Sequence, residues 1–171
     1  MKTTKQNAFV SALAAASLAT LSGADANDAD QSNTHILTGT WDLVAAEVLH
    51  PDGVIENDYG EAPKGLLIVD AQGRYSLQIL KGERMPFASN AKAAGTSAEY
   101  KDAVMGSSTH FGVVRANEKE NTLSFEIEGA SFRNWEGDTQ TRSYELVDGV
   151  LSYRVPPRPN GDIPISTWKR Q

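Results

Sequence analysis

The chain contains no cysteine, so an oxidising compartment would add no disulfide staples and the core must hold the fold unaided. Histidine is scarce as well. His35, His50 and His110 stand far apart, and without cysteine they form no metal-ligand cluster of usual spacing. There is no basic run: 16 Lys and Arg against 22 Asp and Glu leave a formal charge of −6. That balance argues against nucleic acid and against anionic lipid surfaces as partners. No Gly-x-Ser-x-Gly elbow, phosphate loop or dinucleotide fingerprint occurs, and no cofactor is expected. No Asn-x-Ser/Thr glycosylation acceptor is present.

What is there begins with an address. Lys2 and Lys5 form a short positive region, Ala8 to Leu21 is apolar and uncharged, and Ala24-Asp25-Ala26 supplies the small residues of a cleavage site. This is the anatomy of a secretory signal peptide spanning residues 1–26, and its apolar run is too short for a membrane-spanning helix. No later stretch is apolar enough to span a bilayer, so no membrane insertion is expected after cleavage. Removing Lys2, Lys5 and Asp25 makes the remainder one unit more negative than the whole chain. A bacterial periplasmic or secreted location fits best. Residues 27–38 are polar and acidic until Ile36 and Leu37, with Asp28 and Asp30 in a solvated tether, and read as a flexible leader. A single domain then covers 39–171.

Within that domain the pattern is β. Leu66 to Val69, Asp70-Ala71-Gln72-Gly73, and the alternation of Tyr75, Leu77 and Ile79 with Ser76 and Gln78 predict a hairpin. Gly39 to Leu49 is apolar on both faces, and its β-branched residues and the Pro51-Asp52-Gly53 turn favour a strand. Ser107 to Ala116, Leu123 to Glu128, Arg142 to Leu146, Leu151 to Val155 and Ile163 to Arg170 add further short strands. Thr96 or Ser97 caps a short helix through Met105 that stops at Gly106. Tyr100 and Val104, at i and i+4, give that helix an apolar stripe to lay on a barrel mouth. Glu126 and Glu128 share a face and are placed to pair with Arg142 or Arg115 across strands. Eight or nine strands with one inserted helix fit a sandwich or a closed barrel, and closure is the surer way to remove sticky edges.

Two end motifs favour the barrel. Gly39-Thr40-Trp41 opens the first strand and Trp168-Lys169-Arg170 ends the last. This resembles the lipocalin signature, in which a Gly-x-Trp indole plugs the closed end of the barrel and a basic side chain stacks across it. Further stretches resemble the bacterial and fungal lipocalin-like domain family: Pro63 to Ile68, Gly73 to Ile79, Phe87 to Asn90, Glu99 to Lys101, His110 to Gly112 and Glu128 to Gly137. His110 stands where that family often has an aromatic residue, and Arg133 where it often has Pro. The resemblance implies an all-β fold, a single antiparallel lipocalin-like barrel of about eight strands with one short inserted helix. It also implies small-molecule binding in general. Trp41 and Arg170 would then be structural.

Several polar and aromatic residues in the matched stretches have no evident turn or solubility duty. Tyr75, Gln78, Arg84, Phe87, Asn90, His110, Asn134, Trp135 and Arg142 are therefore the candidate ligand-binding residues of an apolar cavity with a few orienting polar groups. The competing reading has Asn134 and Trp135 anchoring a loop, and Gln78 and Arg142 on exposed strand faces. His110 is the candidate for acid–base catalysis, because its ordinary pKa lies nearest neutrality. Three functions stay open: a binder of a small hydrophobic or amphipathic molecule, a cofactor-free isomerase or cyclase of a small hydrophobic metabolite, and a non-catalytic interaction module built on the Arg84 to Asn90 and Trp135 loops.

Overall fold

The structure, a computed structural model, describes residues 34–171. The expected signal peptide (1–26) and the first residues of the leader (27–33) lie outside the described residues. The chain runs from a 3-10 turn (Thr34–Leu37) into β1 (Gly39–Leu49), β2 (Ile55–Asn57), β3 (Lys64–Val69) and β4 (Arg74–Leu80). Helix α1 (Ser97–Met105) follows, then β5 (Ser107–Asn117), β6 (Thr122–Ala130), β7 (Thr139–Val147), β8 (Val150–Arg154) and β9 (Ile163–Arg170). Strands β1 and β3 to β9 pair antiparallel, each with its neighbour in the chain, and β9 returns to pair with β1. The sheet is thereby closed into an eight-stranded barrel. The three-residue β2 lengthens the ring beside the far end of β1.

Local chemistry explains the strand boundaries. In the β3–β4 turn the Asp70 carboxylate accepts the amides of Gln72 at 2.9 Å and Arg74 at 2.8 Å, and Gly73 takes a left-handed φ of +80°. Tyr75, Leu77 and Ile79 of β4 are buried while Ser76 and Gln78 are exposed, so the period of two holds. β1 shows why its sequence is apolar on both faces: its register with β9 shifts between Leu43 and Ala45. Trp41 points inward before this bulge, Ala46 and Val48 point inward after it, and Val44 is left outside. A second bulge lies between Phe111 and Gly112 of β5. A Cβ at Gly112 would stand 2.0 Å from the Glu126 carbonyl oxygen, so no side chain fits there.

At the end of the expected leader, Thr34–Leu37 forms a 3-10 turn and Leu37 is buried. Two expectations are corrected. Helix α1 has the expected Thr96 cap, with the Glu99 capping box, and ends at Gly106. It does not dock through Tyr100 and Val104, however. Val104 and Met105 are 62% and 71% exposed, and the helix buries Glu99 instead. Glu99 has a stronger claim on the inside because its carboxylate accepts the amides of Thr96 and Ala88, both at 2.6 Å. Those bonds hold it well below the usual carboxylate pKa range. Finally, Glu126 pairs with Arg115 at 3.1 Å and Glu128 pairs with Arg74. Neither meets Arg142, because Arg142 lies on the opposite, inward face of β7.

Candidate functional site

The two ends of the barrel are built differently. At the base, Trp41 is fully buried and its indole N–H donates to the Leu37 carbonyl at 2.9 Å. The Arg170 guanidinium lies 4.2 Å above the Trp41 ring and donates to the carbonyls of Ile36 and Thr38. Trp168, Leu123, Val114 and Leu151, all fully buried, fill the space next to it. The register sets Trp41 beside Arg170 and Leu49 beside Ile163, so the other end of the barrel is bounded by the start of β9, the end of β4 and the start of β5.

That other end holds a cavity of about 340 Å³. Its apolar wall is Leu77, Ile79, Trp135, Tyr153 and Val155, and its polar groups include Ser108, His110, Gln140, Arg142 and Ser166. The β8–β9 loop overhangs the opening with Pro156, Pro157 and Pro159. Two ion pairs fasten this loop, Arg158 to Asp58 and His50 to Asp162, the latter at 2.8 Å. The Asp162 carboxylate, then Glu56, raises the pKa of His50, and the pairing depresses that of Asp162.

Inside, three of the candidate residues form one chain. The Tyr75 hydroxyl is 2.8 Å from His110 Nδ1, and Arg142 Nη2 is 3.4 Å from His110 Nε2. A guanidinium only donates, so Nε2 must accept and the His110 proton must sit on Nδ1, donated to Tyr75. Burial, and then the Arg142 charge, push the His110 pKa down to about 3. His110 is thus a neutral imidazole with both nitrogens committed. Burial likewise raises the Tyr75 phenol above its ordinary range. Arg142 itself is 4% exposed, lies 4.1 Å from the centroid of the Phe125 ring and 5.0 Å from that of Tyr153, and donates from Nη2 to Gln140 Oε1 at 2.9 Å. Its Nε–H has no acceptor.

The remaining candidates are scattered. Trp135 flanks His110 edge-on at 6.1 Å and lines the cavity. Gln78 faces outward beside Thr109, over a shallow depression on the outside of β4 to β6, because it alternates with the buried Leu77 and Ile79. Arg84 and Asn90 are exposed in the loop before α1, where Phe87 packs on Tyr100 at 5.6 Å. Asn134 is exposed in the 3-10 turn Arg133–Trp135. Among the residues left out of the candidate set, Gln140 and Tyr153 matter most. Gln140 shares Arg142's face by the period of two, and Tyr153 sits in the same alternation as Leu151 and Val155.

A family model described as the lipocalin-like domain matches residues 38–171. The chain belongs to the lipocalin-like domain family. A search of curated proteins gave no match. Among solved structures, a mutant of the fluorescent protein UnaG is 15% identical, with 80% of this chain and 97% of that chain covered and a TM-score of 0.36. The barrel assignment rests on the strand pairing itself, since a likeness that distant adds nothing to it.

Proposed function

We propose that the chain is an exported binder of a small, mostly apolar molecule held at the open end of the barrel. The observation that carries this reading is the contrast between a base filled by side chains and a hollow of about 340 Å³ at the other end. That volume falls at the low end of the roughly 300–1,000 Å³ typical of small-molecule sites, and the mix of apolar wall and few polar groups is the usual one. Membership of a lipocalin-like family supports small-molecule binding in general. Export is supported by the residues of the N-terminal segment, and sequencing of the secreted protein should give Asn27 as its first residue.

A thermal-shift screen against fatty acids, polyketides, terpenoids and quinones tests the binding reading, because a ligand of the native state raises the melting temperature. The expected result is a shift that is lost when Ile79→Trp fills the hollow. A shift that survives the filling, or none with any class, would remove the cavity from the account. The isomerase or cyclase alternative would work by excluding water and fixing a substrate's conformation, and His110, hydrogen-bonded at both ring nitrogens, adds little acid–base chemistry to it.

A further inference from the structure

The Arg142 guanidinium is a buried cation with no carboxylate partner among the described residues. Every ion pair of the barrel lies elsewhere, and the one acidic side chain lining the cavity, Asp58, is taken by Arg158. The faces of Phe125 and Tyr153 offset part of the charge. The Tyr153 side chain also hydrogen-bonds the guanidinium, yet the Nε–H keeps no acceptor, and buried polar groups nearly always have one. Trp168 Nε1 also lacks an acceptor, but it is neutral and lies in the filled half of the barrel. Arg142 differs on both counts, since its side chain lines the hollow.

We infer that the molecule bound here carries a single carboxylate at one end of a compact apolar body, and that Arg142 holds this carboxylate at the floor of the cavity. The inference rests on the binding reading above and adds the head group. One charge is matched because one cation is unspent; a phosphate ester, at about −1.5 to −2, would need a second. His110 and Gln140 serve as positioning residues. They fix the guanidinium through Nη2 and leave its charge without a carboxylate beside the hollow. Tyr75 acts one step further back, holding the His110 proton on Nδ1.

The test compares decanoate with decanol on the full chain by titration calorimetry, following the Arg142 Nε–H signal by NMR. Decanoate should bind about tenfold to a hundredfold more tightly than decanol, the range for a hydrogen bond to a charged group, and should shift that signal while decanol leaves it in place. Arg142→Met should erase the preference, and Arg142→Lys should keep part of it. Equal binding of acid and alcohol with an unmoved Nε–H would overturn the head-group inference and leave the binding reading standing. No binding of either compound, together with no hit in the broader screen, would overturn both.

Discussion

Two arginines lie over aromatic rings at almost the same height, Arg170 at 4.2 Å from Trp41 and Arg142 at 4.1 Å from Phe125. Their hydrogen bonds separate them. Arg170 donates from Nη1 and Nη2 to the carbonyls of Thr38 and Ile36, tying the entering chain to the last strand. Arg142 is more deeply buried, is held by neutral partners, and keeps one N–H without an acceptor. A cation that hydrogen-bonds two backbone carbonyls of the protein closes the fold. One whose bonds are incomplete, beside a hollow, is better explained by what enters the hollow.

The contrast can be broken most forcefully at the base. Trp41→Ala should destabilise the barrel by about 3–5 kcal/mol, the usual cost of deleting a fully buried large aromatic. Urea unfolding checks this, and a loss under 1 kcal/mol would mean that the base is not the closed end.

The next effect in size is a pH dependence at the cavity. His110 is neutral when folded, with a pKa near 3, and returns to about 6.5 when unfolded. Between those values the unfolded chain binds the extra proton, so this contribution is complete above pH 6.5 and is lost as the pH falls toward 3. The slope approaches about 1.4 kcal/mol per pH unit. Unfolding of the wild type and of His110→Gln across pH 4–8 isolates it. A slope unchanged by the substitution would place the His110 proton elsewhere.

The smallest effect concerns the loop over the opening. The raised pKa of His50 means that its pairing with Asp162 is fully present below pH 6.5 and fades as the pH rises through the raised value. The depressed Asp162 contributes above its ordinary value near 3.8 and fades only below it. Amide exchange in residues 156–162 should therefore be slowest in mild acid, near pH 5 to 6, and faster at pH 8. His50→Gln should flatten the difference, and equal exchange at the two pH values in the wild type would show that the pair does not hold the loop.

Much of the fold was legible because it rests on short-range rules. The Asp70–Gly73 turn, the alternation in β4 and β6, the Thr96 cap and the pairing of a Gly-x-Trp start with a basic end all work within one or two elements. The inward faces were harder to read, because a single bulge exchanges inside for outside. Between Leu43 and Ala45 that exchange makes β1 apolar on both sides. From sequence, Arg142 is equally compatible with a surface pair to Glu126; the register turns it inward, and the same parity turns Gln78 outward. The docking of α1 is hard to read because an apolar i, i+4 pair is a weak signal, whereas the capping carboxylate of Glu99 accepts two amides.

The most direct test is a pair of unfolding measurements without ligand, on Arg170→Met and Arg142→Met. Removing Arg170 leaves the Ile36 and Thr38 carbonyls without their donor and uncovers Trp41, and should cost about 2 kcal/mol. Removing Arg142 deletes an uncompensated buried charge, and should leave stability unchanged or raise it by about 1–2 kcal/mol. Equal losses in the two variants would contradict the account, because Arg142 would then be as much a part of the scaffold as Arg170.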